Sequence, residues 1–408
     1  MNGLSAQEIP YNYNYTYDSN VRSVRFHISG INLSQPIVYL GARTSPLFLT
    51  FDVLGDDAGN YMYRVEHCDA DWKPSELETF EYVDGFHYGD IENYDFSIST
   101  TINYTNFNIT LPNDDTRFTK SGNYLLHVYD SNDEDVYLFT RRFIIVEDVT
   151  DIEAATMRPA MVNKMDTHHE LNFIVNHKDF DIRNPKREIR ASVMQSGIWS
   201  TAINDIEPFF LKPDIMQFNY TNKMVFKAGK EWRFVDIRGL QNEGRNIVDI
   251  QETNEGYDVT LTPDQPRANR VYLDHRDING NFVIENIDFR GRYLEADYAN
   301  VFFTLKDTEY AGKDVYLVGA FSDFKPKEEF KMVYNNRINA YVAQILLKQG
   351  FHDYQYATVD RDTKEMSFSE IEGDDYQTES EYTTIVYYRP FGQRYDRIIS
   401  VAQVNSRR

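Results

Sequence analysis

From about residue 21 to 148 the chain is written in short apolar–polar alternations separated by polar turns, and this rhythm limits what it can fold into. Side chains with a period of two line one face of a pleated strand, whereas a helix needs a period near 3.6. Val21–Ile28, Leu47–Asp52, Tyr61–His67 and Asn103–Leu111 follow the strand pattern, and Pro36–Gly41 is a shorter run of the same kind. Ser121–Tyr129 and Val136–Val146 flank the acidic stretch Asp130–Asp135, the layout of a hairpin with a polar turn. About seven strands over such a length predict an immunoglobulin-like sandwich. Helical periodicity is scarce throughout, and no internal repeat is exact.

The chain has 408 residues, more than one core holds, since cores stop growing near ~250–300 residues. The expected fold is all-β, as tandem immunoglobulin-like β-sandwich domains. Residues 1–20 form an N-terminal tail or edge strand in which Tyr11, Tyr13, Tyr15 and Tyr17 share one face. Such a tail edges the chain's own sheet or adds itself to a partner's. The first sandwich spans 21–148 and ends where Glu147-Asp148 restores charge. A second β domain spans 149–265, closed by Pro263 and Pro266 because proline interrupts a ladder. The third spans 266–408. Its runs Asp314–Phe324, Tyr341–Leu347 and Gly350–Tyr356 resemble the early-set sandwich of glycogen- and starch-binding modules, with Phe324 where a Trp often meets sugar. That likeness keeps a carbohydrate-binding β-sandwich of the periplasm or cell surface as the alternative reading.

The formal charge is −22, and nucleic-acid binding needs the opposite sign. Residues 1–150 hold 9 Lys and Arg against 23 Asp and Glu, so the first third carries −14 of the total. The excess serves solubility or steers the chain toward a basic or membrane-anchored partner. One cysteine, Cys68, excludes an internal disulfide and is expected to be buried as a small apolar group. No apolar run reaches the ~18 residues of a spanning helix, so no membrane insertion is expected. Leu4-Ser5-Ala6 reads as the remnant of a signal-peptide cleavage site.

Motifs of catalysis are missing: no nucleophile elbow, metalloprotease helix, phosphate-binding loop or dinucleotide fingerprint is present. His168 and His169 are adjacent and would point to opposite faces of a strand. The Asp130–Asp135 turn lacks the spacing of a calcium loop. No catalytic residue, cofactor or metal site is expected.

Two stretches are more specific. One is His67-Cys68-Asp69-Ala70-Asp71-Trp72-Lys73-Pro74-Ser75, continued by Glu81–Phe86, Leu111-Pro112-Asn113, Ser121–Tyr124 and Thr140-Arg141-Arg142-Phe143. The other is Val386-Tyr387-Tyr388-Arg389-Pro390-Phe391-Gly392-Gln393-Arg394-Tyr395-Asp396-Arg397. Together they resemble the type IX secretion system plug family. The resemblance implies a non-enzymatic periplasmic protein that binds the periplasmic mouth of a large outer-membrane β-barrel translocon and closes its pore when no substrate is in transit. It supplies no contact residues. The residues expected to meet the partner are Asp71, Trp72 and Lys73 on one loop, and Arg389, Pro390, Phe391, Arg394 and Tyr395 near the C-terminus.

Overall fold

The computed structural model describes residues 11–41, 45–56, 58–241, 244–288 and 293–407. The expected cleavage site at Leu4-Ser5-Ala6 lies outside them. The chain is nearly all β, and its helices are single turns such as Thr79–Tyr82 and Pro185–Glu188. Among the described residues no helix is long and apolar enough to cross a membrane.

The first unit is a sandwich of two sheets. One sheet runs Val21–Ile28, Leu47–Leu54, Tyr104–Leu111, Asn93–Phe96. The other is built on Asp133–Val146, Gly122–Asp130 and Tyr61–Cys68, with Tyr88–Asp90 at its edge. Alternation has the expected result: Leu49, Phe51, Phe107, Leu111, Leu126, Val128, Phe139 and Phe143 meet in one core. The acidic stretch closes the expected hairpin, with Asp130 opposite Asp133. Of the tyrosine ladder only Tyr15–Thr16 is a strand, paired with Phe139 and Thr140 as an edge. The rest of the tail is held by its rings: Tyr13 lies 4.9 Å from the Arg142 guanidinium, and Lys327 sits 4.3 Å over Tyr15.

A division into consecutive segments at 148 and 265 does not describe the remaining sheets. The strand Ile189–Gln195 pairs on one side with Ile203–Ile206 and on the other with Glu381–Tyr388, which pairs in turn with Arg397–Asn405. That sheet packs on Asp151–Met157, His168–Asn176 and their neighbours, and Phe173, Val193, Tyr382 and Ile399 share its core. The last two strands of the chain therefore complete the second unit. The third unit is inserted between the earlier strands of the second unit and these last two, as a ten-stranded sheet running from Arg233–Asp236 to Ile247–Thr253. Val235, Val259, Val301, Leu317 and Ile345 gather from across this sheet into one cluster, so it folds over on itself. Periodicity locates a strand but carries no information on its partner, which is why Glu381–Asn405 reads as part of the third unit.

Buried charges lock the units together. Arg141 of the first sandwich meets Asp323 of the third unit at 2.9 Å, Lys327 meets the same carboxylate at 2.6 Å, and the Thr16 amide donates to it at 2.7 Å. A second joint is fully enclosed. Lys348 contacts Asp52 at 2.6 Å, beside the Tyr104 ring at 3.7 Å, and the Tyr298 hydroxyl donates to Asp52 at 2.7 Å. Burial pulls the Lys348 ammonium down to about 8, against the opposing pull of Asp52.

Burial pushes the Asp323 carboxyl up, but the attraction of Arg141 and Lys327 outweighs it and holds the group at about 2. In the unfolded chain it titrates near the ordinary ~3.9. The unfolded state therefore binds more protons between those values, and stability present above about pH 4 is lost as pH falls through about 2. Asp323→Asn should cost about 3–5 kcal/mol near neutral pH, because it leaves two cations buried without their counter-charge. The variant should also lack this part of the acid slope. Urea unfolding at pH 7, 4 and 2.5 checks both; equal acid slopes in the two proteins would refute the assignment.

Candidate functional site

The two specific stretches of the sequence, more than 300 residues apart, meet at one cleft of about 890 Å³ between the first and second units. A tight turn supplies one wall. The Asp69 amide donates to the Lys73 carbonyl and the Trp72 amide to the Asp69 carbonyl, both at 2.9 Å. Trp72 adopts φ of 63° there, a left-handed conformation that a bulky residue takes only when its surroundings hold it. What holds it is packing. Its ring meets Trp199 edge to face at 4.7 Å, and the Arg142 guanidinium lies 4.2 Å above it.

Arg142 is buried, with 6% of its surface exposed, and no described carboxylate pairs with it. Its Nε donates to the Asn12 carbonyl at 2.7 Å, and Trp72, Trp199 and Tyr13 form a box of rings around the cation. Burial lowers the guanidinium to about 10. Arg190, Asp205, Ser192 and Tyr387 complete the lining, and Arg190 is paired with Asp205 at 2.8 Å.

The C-terminal loop forms the other wall and is fastened by charge. Arg389 contacts Asp69 at 2.6 Å and Asp396 at 2.9 Å, and the Ala70 amide donates to Asp396 at 2.9 Å. Arg394 reaches the Glu76 carbonyl at 2.9 Å and pairs with Glu81. The Tyr395 ring stands 5.5 Å from His67. Burial lowers His67 to about 4, so it is neutral near pH 7. Gly122 sits at the crossing with φ of 143°, where a Cβ would fall 2.4 Å from His67 Nε2; no larger residue fits. Beneath the cleft, Cys68, Leu125, Ile144 and Val146 pack on Met194, Ile385, Tyr387 and Ile398. Cys68 is a buried free thiol whose pKa burial raises.

The eight residues expected to meet a partner are thus brought to one region but differ in access. Trp72 is buried and supports the turn, and Arg389, Arg394 and Tyr395 are engaged in joining the two units. Asp71 and Lys73 pair with each other at 2.6 Å on the surface, Pro390 is half-buried, and Phe391 is fully exposed. Sequence reasoning missed Arg142, Trp199 and Tyr13 as parts of this cleft. The signal was there: consecutive arginines inside the apolar strand Asp133–Val146 require a polar partner on each face.

The other residues with chemical potential are used structurally. His169 contacts the Tyr382 hydroxyl and the Tyr376 carbonyl, both at 2.8 Å, while His168 turns the other way to Thr167. Among the described residues no group of His, Cys, Asp and Glu could hold a metal. Phe324 is half-buried and packs edge to face on Trp232 at 5.8 Å.

With this geometry in view, the likenesses to known proteins fall into place. Residues 21–147 match the family described as "Type 9 secretion system plug protein 1st domain". A hypothetical protein from Parabacteroides merdae ATCC 43184, whose crystal structure was determined at 2.30 Å, is 33% identical. The likeness covers 96% of this chain and 99% of that one, with a TM-score of 0.91. The native conformation of E. coli alpha-2-macroglobulin is 8% identical over 94% of this chain and 25% of that one; its TM-score of 0.15 bears on nothing. No curated protein matches.

Arg142→Met should change stability by about 1 kcal/mol or less, because the cation has no carboxylate to leave unpaired. It should nonetheless shift tryptophan emission, since two of the three tryptophans flank it. Trp72→Ala should cost about 3–5 kcal/mol. Urea melts followed by fluorescence give both values, and the reverse order would mean that the cation rather than the ring holds the cleft.

Proposed function

The chain belongs to the type IX secretion system plug family, and from that premise we propose that it binds the periplasmic mouth of the system's large outer-membrane β-barrel and seals the pore when no substrate is in transit. The observation that carries this reading is the match of the whole first sandwich, residues 21–147, to the plug family's first domain. The family is a component of secretion rather than a known class of enzymes, and it suggests a periplasmic or envelope location.

Physical considerations support the reading. A wide barrel encloses an aqueous lumen, and an unsealed lumen leaks. A stopper needs a stiff body with a broad surface and has no need of a catalytic cleft. Buried ion pairs between units, at Arg141–Asp323 and Lys348–Asp52, supply stiffness. Reversible closure needs only a standard interface of ~1,200–2,000 Å², with the state of the barrel deciding whether the plug is held. On this reading the exposed Asp71, Lys73 and Phe391, with the half-buried Pro390, are the candidate contacts.

A strain lacking this protein should become permeable to antibiotics too large for ordinary porins, and the full-length protein should restore the barrier. In detergent-solubilised outer membranes, the tagged chain should co-purify with a large β-barrel. Normal permeability in the deletion strain, together with failure to capture a barrel, would sink the proposal.

A further inference from the structure

The first sandwich exposes two neighbouring sheet edges, and they are built unlike the rest of the molecule. Among the described residues, Tyr88–Asp90 ends one sheet, paired in its ladder only with Tyr61–Cys68, and Asn93–Phe96 ends the other, paired only with Tyr104–Leu111. One short segment thus forms one edge of each sheet. All four residues of Asn93–Phe96 are exposed. Among the described residues, no backbone bond reaches them from the outer side; the next amide, Ile98, is already taken by the Leu294 carbonyl.

Free edges usually carry lysine, proline or a bulge that blocks further pairing. The opposite edge of the same sheet obeys this rule: Val21–Ile28 has Arg22, Arg25 and a register shift between them. The Asn93–Phe96 edge has none of these. Tyr94 lies opposite Phe107 in register, its ring 5.6 Å away, so Tyr94 and Phe96 extend the apolar core face past the end of the sheet. Both are about half exposed, and Phe86 and Tyr88 line a groove of about 540 Å³ that reaches the strand at Asn93.

Charge selects the occupant. Between Lys73 and Arg117 the sequence contains no Lys or Arg, against nine Asp and Glu. Arg394 pairs with Glu81 and Arg117 with Asp84, and Arg117 also donates to the Asp114 backbone carbonyl at 2.9 Å. No described cation pairs with Asp90, Glu92, Asp95, Asp114 or Asp115, which surround the groove and the edge.

We propose that Asn93–Phe96 is the docking edge for an extended, lysine- or arginine-bearing segment of the partner protein, which adds to the sheet as a further strand. Its backbone completes the unpaired ladder. Its apolar side chains cover Tyr94 and Phe96, and its cations meet Asp90, Glu92 and Asp95. The proposal rests on the plug reading, with the outer-membrane barrel as the partner, and assigns that contact to a strand edge rather than to the cleft loops.

The test uses the full chain as bait on detergent-solubilised outer membranes, with the captured barrel identified by mass spectrometry. A photo-crosslinking residue at 94 or 96 should link to a basic segment of the barrel, while one at the exposed Val271 should not. Tyr94→Lys with Phe96→Lys should weaken capture at least about tenfold, since edge lysines bar strand addition. Asp90→Asn, Glu92→Gln and Asp95→Asn together leave the apolar residues untouched. They should weaken capture about tenfold at low salt and remove most of its salt dependence. Circular dichroism melts confirm that each variant is folded. Capture of the barrel with no crosslink from 94 or 96 and full binding by both variants would overturn the edge alone. A wild-type chain that captures no barrel overturns the plug reading and the edge with it.

Discussion

Buried ion pairs that cross between units hold the molecule together, and one of them starts from the first of two consecutive arginines in one strand. Neighbouring residues on a strand point to opposite faces, so Arg141 and Arg142 leave the first sandwich in different directions. Arg141 is carried to Asp323 in the third unit, and Arg142 to the ring box shared with Trp199 of the second. Removing charges from water costs several kcal/mol per ion unless partners are in place. Arg141 and the enclosed Lys348–Asp52 pair meet their counter-charges only while the units are docked, whereas Arg142 keeps the Asn12 carbonyl and the Trp72 and Tyr13 rings of its own unit. Separating the units would leave the ion-paired groups without their partners, so the sandwiches behave as one body.

That body was legible in the sequence to different depths. The first sandwich could be read almost strand by strand, because Val21–Ile28, Leu47–Leu54, Tyr61–Cys68 and Tyr104–Leu111 lie close in the chain and alternate cleanly. The second unit could not. Its sheet joins Ile189–Gln195 to Glu381–Tyr388 across an inserted domain, and no local pattern encodes a pairing over such a distance. The tyrosine ladder shows a different limit. Its alternation is real, yet only two residues enter the sheet, because cations at Arg142, Lys325 and Lys327 offer the rings better contacts than a longer edge would.

The site was legible as two stretches of sequence but not as one place. Asp69–Lys73 and Arg389–Asp396 face each other because Arg389 bridges Asp69 and Asp396, a contact no motif announces. Several residues that stand out in the sequence prove to be joinery. Trp72 is buried under Arg142, and Arg394 ties the C-terminal loop to Glu81. An unusual residue marks a demanding environment, and the joint between two units is as demanding as a binding surface. The acid-rich, aromatic segment from Tyr88 to Phe96 looks ordinary by comparison. Its distinction appears only when the topology shows that it supplies one edge strand to each of the two sheets.

The same chemistry then serves two purposes, separated by access to water. Asp52 and Asp323 are buried, where salt screens little, and their joints should persist across ionic conditions. Asp90, Glu92 and Asp95 lie on the surface, where attraction is weaker and screened. On the proposed reading, a stopper that comes off repeatedly requires this ordering. Its internal contacts must outlast its contact with the channel, or release would pull the body apart. Placing the buried pairs between units and the solvated carboxylates along a sheet edge meets that requirement through burial alone.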